Sequence, residues 1–222
     1  MRQERRARGS VSQHTVGSKP CLLLVEGRDE KLFFTALLRS MGCLDGTQVE
    51  EVGGKDQFPR KLPGFVKMSG FSKVRSLGII RDADDDPRAA LQSIQTALGK
   101  EGLPVPVSAG RKQTSAGGSP DVSIFIMPGR NQPGALEDLI LASVKGQQEL
   151  ACVTDFFACL DDRGVAPDFS SARQRKREVH VLIGAQDTDA RLLGEAARAG
   201  VWSLDSPAFD EIKEFLRDIC RP

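Results

Sequence analysis

The sequence has no tyrosine, one tryptophan and only 5% aromatic residues in all. Proteins that hold single strands by stacking successive bases rely on aromatic platforms, so this scarcity argues against such a binder. Histidine is nearly as rare, with His14 and His180 alone. The five cysteines, at positions 21, 43, 152, 159 and 220, form no Cys-x-x-Cys pair. A zinc site is therefore not expected. Neither histidine has a serine or cysteine partner in a recognisable motif, and no Gly-x-Ser-x-Gly elbow occurs. We read His14 as part of the N-terminal tail and His180 as structural. A Gly-x-x-x-x-Gly-Lys-Ser/Thr loop is also missing, so the sequence makes no case for ATP hydrolysis.

No apolar stretch is long enough to cross a bilayer, and no signal-peptide pattern appears. The expected setting is the reducing cytoplasm, away from membranes, with cysteines mostly buried as small apolar residues. Excess charge is lacking as well: 31 Lys and Arg stand against 30 Asp and Glu. Any affinity for a polyanion must then come from local basic patches.

What is present is a series of apolar runs alternating with helical patterns. Cys21–Val25 reads as a strand, and Gly27 is expected to permit a tight exit turn. Over Asp29–Met41, Leu32, Phe33, Ala36 and Leu37 share one helical face, and Gly42 can end the helix. Thr47–Val52 is a second strand, leading into the turn Gly53-Gly54-Lys55-Asp56. A short helix over Phe58–Met68 follows, then a third strand over Ser76–Ile80 and an amphipathic helix over Arg88–Leu98. This β-α-β-α-β-α order implies a parallel sheet with right-handed crossovers. The stretch Pro104–Pro120 reads as a loop with a short strand at Val105–Val107. Val122–Met127 is a further strand, and Leu136–Val144 a helix. Beyond Gln147 the pattern turns helical, over about Glu149–Asp161, Asp189–Ala199 and Pro207–Ile219. Glu178–Ile183 suits either a strand or part of a helix.

Two of the apolar runs end abruptly in carboxylates: Leu22-Leu23-Leu24-Val25-Glu26-Gly27 and Ile79-Ile80-Arg81-Asp82-Ala83-Asp84. Ligands of open parallel sheets bind beyond the carboxyl ends of the strands, where these acids lie. Glu26, Asp82 and Asp84 converging there would repel one another unless a cation sat between them. Hard oxygen donors of this kind select Mg²⁺ or Mn²⁺. Asp86-Pro87 reads instead as a helix N-cap followed by proline at the first helical position. Glu30, in the first turn of its helix, either leans toward the strand end or is an acid favoured by the helix dipole. Lys55 either meets a phosphate or belongs to a plain turn.

In this order and spacing, Glu26-Gly27 and Asp82-Ala83-Asp84 resemble the signature of the Toprim family. The resemblance covers about residues 20–145 and is closest to the Toprim domains of OLD-like nucleases and to small stand-alone Toprim proteins. It implies an α/β, Rossmann-like fold: a mostly parallel sheet of four to five strands flanked by helices. The expected organisation is a flexible basic tail over 1–19, the Toprim domain over 20–145, and a mainly helical extension over 146–222 packed on the same core. Arg2, Arg5, Arg6 and Arg8 make the tail either a frayed terminus or an arm on nucleic acid.

The resemblance also extends the candidate site. Glu30 matches the extra acid of the OLD-like branch. Ala135-Leu136-Glu137-Asp138-Leu139 falls where that branch places further metal ligands, with Glu137 preferred and Asp138 second. A lysine from the segment after the core points to Lys176, within Arg173-Gln174-Arg175-Lys176-Arg177. The alternative for that run is a phosphate clamp formed by Arg173, Arg175 and Arg177, with Lys55 nearby.

The implied function is Mg²⁺- or Mn²⁺-dependent hydrolysis of phosphodiesters in nucleic acid, DNA in preference to RNA. Catalysis would rest on Glu26, Asp82, Asp84 and Lys176. Without tyrosine a covalent topoisomerase mechanism is not expected, and without the other primase modules neither is a complete primase. The rival is a non-catalytic module that binds nucleic acid or a partner in recombination, repair or phage defence. A separately encoded ATPase or a second copy of the chain is the protein partner that the resemblance suggests.

Overall fold

A computed structural model of the chain describes residues 16–54, 57–115, 117–166 and 170–221. Residues 1–15 of the basic tail, among them His14, and Lys55 lie outside the described residues, whereas Val16 is buried against the core and Lys19 Nζ donates to the Leu44 and Thr47 carbonyls.

The elements, in order, are β1 (Cys21–Val25), α1 (Arg28–Ser40), β2 (Thr47–Glu51), α2 (Phe58–Lys67), β3 (Ser76–Asp82) and α3 (Pro87–Lys100). They continue as β4 (Lys112–Gln113), β5 (Asp121–Met127), α4 (Leu136–Ser143), α5 (Gln148–Asp162), α6 (Ser171–Gly184), α7 (Leu193–Arg198) and α8 (Asp210–Cys220). One mixed sheet has the order β2-β1-β3-β5-β4. Its first four strands run parallel, and the short β4 pairs antiparallel at the edge. The fold is Rossmann-like α/β.

Every residue of β1 and β3 is buried. Helices cover both faces of the sheet, which is why these strands read as unbroken apolar runs and not as alternations. On one face Leu22, Leu24, Leu77 and Ile79 meet Phe58 and Leu62 of α2 and Ile94 and Leu98 of α3. On the other, Leu23, Val25, Ile80 and Phe125 join a core built by α1, α4, α6, α7 and α8. Two glycines permit this second layer. A Cβ on Gly78, in the middle of β3, would lie 2.2 Å from Ile219 Cδ1 of α8. A Cβ on Gly194 of α7 would lie 2.4 Å from the Asp29 carbonyl oxygen of α1.

The chain leaves β1 for β2 on one side and returns to β3 on the other. That reversal opens a crevice between the carboxyl ends of β1 and β3, the usual ligand site of such sheets.

Several local expectations change. No strand forms at Val105–Val107, and Val107 is 81% exposed; Pro104 and Pro106 remove the N–H donors that a ladder needs. Glu178–Ile183 is helix, with Val179, Leu182 and Ile183 buried on one face of α6. Of the cysteines Cys21 alone is fully buried, while Cys152 and Cys159 are exposed on α5. His180 is exposed on α6, not structural. Gly27 has φ −141°, an extended conformation open to any residue, so the exit turn is not what it serves.

Candidate functional site

Glu26 follows β1 directly. Its carbonyl accepts the N–H groups of Gly53 at 2.8 Å and Gly54 at 2.9 Å, pinning the end of β1 to the end of β2. Both glycines have positive φ, 84° and 114°. Asp82 closes β3 and is only 9% exposed. Ala83 N–H donates to the Met127 carbonyl at 2.9 Å, so the β3 exit runs alongside the β5 exit. Asp84 takes a left-handed φ of 50°, a conformation that aspartate tolerates better than most residues. Its N–H and C=O bond Gly134 in both directions, at 3.0 and 2.8 Å. Glu137 then emerges in the first turn of α4.

Glu30 approaches from α1. A Cβ on Gly27 would lie 2.9 Å from Glu30 Oε2, so the absent side chain leaves room for the carboxylate to fold back over the β1 exit. α6 crosses above, bringing Arg173 and Lys176. Together Glu26, Glu30, Asp82, Asp84, Glu137, Arg173 and Lys176 line one pocket of about 590 Å³. Gln57 and Ser170, to which no motif pointed, line it too.

The electrostatics are those of crowded acids. Burial first, and then the charges of Glu30 and Asp84, push Glu26 up to about 7. Burial, with Glu30, Glu26 and Glu137 nearby, holds Asp82 well above the usual carboxylate range. Glu30 is raised as well, mainly by burial. Lys176 moves in the charged direction, chiefly because of Glu137, whose Oε1 lies 3.6 Å from its Nζ. Two buried oxygens in this pocket, Glu26 Oε2 and Asp82 Oδ1, have no hydrogen-bond partner, and neither does Arg81 Nε in β3.

Asp138 does different work. Its Oδ2 accepts the Ala135 N–H at 2.8 Å, capping α4, and its Oδ1 pairs with Arg175. It does not line the carboxylate pocket. Arg175 is held on the same side, beyond Asp85. Asp86 caps α3 through the N–H groups of Arg88 and Ala89 at 2.9 and 3.0 Å.

Residues 20–221 match the profile of a family described as a protein of unknown function, DUF3226. The chain belongs to the DUF3226 family. No curated protein matches it. Among solved structures, the DUF3226 protein is similar to the C-terminal region of the Xanthomonas campestris pv. campestris OLD protein. In the iodine-phased form of that region the identity is 16%, over 92% of this chain and 96% of that one, with a TM-score of 0.50. The C-terminal region of the Burkholderia pseudomallei OLD protein is 16% identical over 91% and 98% of the two chains, with a TM-score of 0.47. The likeness is one of fold.

As donors, these pocket carboxylates suit a hard divalent cation, and one buried oxygen each of Glu26 and Asp82 has no hydrogen-bond partner. Among the described residues, however, no group of three or more His, Cys, Asp or Glu side chains already forms a cage for a metal ion. The acids share a pocket without closing on one point. No helix among these residues is long and apolar enough to cross a membrane.

Proposed function

We propose that the chain is a Toprim-type, divalent-metal-dependent hydrolase of phosphodiester bonds in nucleic acid. The observation that carries this reading is the pocket itself. Five carboxylates, from the exits of β1 and β3 and the first turns of α1 and α4, line one cavity, with two buried oxygens unpartnered and a lysine at the rim. Acids so placed are costly without a cation, because each raises the proton affinity of the next.

In this reading Glu26, Asp82 and Asp84 hold Mg²⁺ or Mn²⁺, with Glu30 and Glu137 extending the set to a second ion. To hold the ion, the carboxylates, which share the pocket wall without closing on one point, would have to draw together. The bound cation supplies Lewis-acid polarisation of a phosphoryl oxygen. The chain supplies the rest. Lys176, oriented by Glu137, places a positive charge against the phosphate as charge develops there. Arg173 lines the same wall and positions the backbone of the strand. Asp82, largely buried, forms the floor of the pocket. DNA is the preferred substrate of this reading. Asp138 and Arg175, paired with each other, are scaffold for α4 and α6.

Two observations favour the second reading, a non-catalytic binding module. Lys176 already neutralises Glu137, and no ready cage exists among the described residues. The two readings separate in one experiment. Purified protein is incubated with plasmid DNA, single-stranded DNA and RNA in Mg²⁺ or Mn²⁺. Cleavage is expected, falling by about 100-fold or more in Asp82→Asn and Glu26→Gln. Cleavage surviving both changes, or no divalent-ion binding by calorimetry, overturns the hydrolase.

A further inference from the structure

A second pocket, of about 690 Å³, adjoins the carboxylate pocket and shares Arg173 and Lys176 with it. Its floor is apolar, formed by Phe156, Phe157 and Leu160 of α5, Val165 beyond it, and Val181 of α6. Three large hydrophobic side chains are exposed among the described residues, and two of them, Phe156 at 47% and Val165 at 60%, lie here. Phe157 supports Phe156 edge-on, with ring centroids 5.2 Å apart. The opposite wall is cationic. Arg173, Lys176, Arg177 and His180 line the groove at the i, i+3, i+4 and i+7 positions of α6, so they form one stripe along the helix.

An apolar slot beside a row of cations, opening onto a carboxylate pocket, matches a ligand with three parts in the same order. A nucleobase is flat and apolar on its faces, its phosphate is anionic, and the adjoining phosphodiester is the bond assigned above to the carboxylates. The volume lies in the range of small-molecule sites. A protein helix laid in the groove would satisfy the apolar floor but would bring no anion to the stripe unless it carried acids at matching spacing. A paired base is stacked inside its duplex and cannot reach the floor.

We propose that this groove seats an unpaired nucleotide of a single-stranded nucleic acid. Its base rests on Phe156 and Val165, and its phosphate meets Arg173 and Arg177. The strand then continues over Lys176 into the carboxylate pocket. The inference rests on the hydrolase reading only for what happens to the next bond. It assigns a preference for single strands, overhangs and flaps over blunt duplex.

The test is fluorescence anisotropy of the full chain with a labelled dodecanucleotide, in EDTA and in Ca²⁺. The probe is presented single-stranded, as an overhang on a duplex, and as a blunt duplex. Single strand and overhang are expected to bind at least about tenfold more tightly than blunt duplex. Phe156→Ala should remove that difference, and Phe156→Trp should restore it, with circular dichroism unchanged in both. Equal affinity for single strand and blunt duplex overturns the proposal, as does a preference that Phe156→Ala leaves intact. Light scattering run alongside addresses the rival occupant: a loss of mass in Phe156→Ala with unchanged oligonucleotide affinity makes the groove an interface between copies. Phe156-dependent binding without any cleavage in Mg²⁺ or Mn²⁺ sustains the groove and removes the hydrolase. Asp82-dependent cleavage indifferent to Phe156 does the reverse.

Discussion

α8 and α5 both belong to the C-terminal part of the chain, and they use their apolar residues in opposite ways. α8 buries Ile212, Phe215, Leu216 and Ile219, along with Lys213, against the sheet. α5 is longer, carries two phenylalanines and two cysteines, and buries Val153 alone. One helix completes the core that Gly78 leaves room for. The other stands beside the basic stripe of α6 with its side chains half in solvent. Apolar content therefore does not measure what a helix adds to stability; what decides it is whether a neighbour covers the face.

The comparison can be strained from either end, and unfolding free energies rank the results. Ile219→Asp places a carboxylate where no water reaches. It should cost about 4 kcal/mol or more, most of the stability of an ordinary domain, read by urea titration. Gly194→Val drives a side chain into the backbone of α1 and should cost about 1–3 kcal/mol.

Divalent cations come next, acting on the pocket alone. Folding raises Glu26 from 4.5 to about 7. The folded chain therefore holds a proton that the unfolded chain gives up. The contribution of Glu26 is fully present below pH 4.5 and is lost as pH rises through about 7. Glu30 and Asp82 shift in the same direction. Metal-free protein should thus lose Tm as pH rises from 4.5 through about 7. Mg²⁺ at a hundredfold excess over its Kd should restore about 2.7 kcal/mol at pH 7.5, or roughly 5–10 °C. Asp82→Asn should show no such gain.

The smallest effects fall on the stripe and on α5. Lys176→Ala breaks an ion pair whose lysine end is largely exposed and whose Glu137 end is mostly covered, and should change stability by about 1 kcal/mol. Its cost should appear instead as a loss of about 100-fold in cleavage. Phe156→Ala should cost about 0.5 kcal/mol, although the same change in a covered phenylalanine such as Phe215 costs about 3–5. A Phe156→Ala protein that unfolds as readily as Phe215→Ala would show that α5 is covered after all.

Much of this was legible before any coordinates. Strands buried on both faces announce themselves as continuous apolar runs, and Asp86-Pro87 marks the start of α3 as a helix start should. Glu26, Asp82 and Asp84 stand at strand ends because the apolar run stops there. Less legible was whatever depends on a neighbour. The reason for Gly27 is the carboxylate of Glu30, not its own φ. Asp138 looks like a ligand in the sequence and serves as a cap paired with Arg175. Arg173, Lys176, Arg177 and His180 become one stripe of α6 only once Glu178–Ile183 is known to be helix. No periodicity reveals that Phe156 lacks a cover, since a helix pattern does not say which face meets a partner. The scarcity of aromatics argued against base stacking; it is the position of one of them that argues for it.

The paired hydrogen bonds between Asp84 and Gly134 have a consequence for sequence variation. With Ala83 bonded to Met127 and Asp84 to Gly134, the segment 128–133 is a detour whose two ends are stapled to the β3 exit. Its length is thereby uncoupled from the position of Glu137. Residues inserted at Arg130-Asn131 should give up only the contacts of Arg130 with Glu211 of α8, its N–H at 3.2 Å and its Nε at 3.7 Å, and α4 should still deliver its acid to the same spot. The staple confines the cost of a longer loop to those contacts with α8.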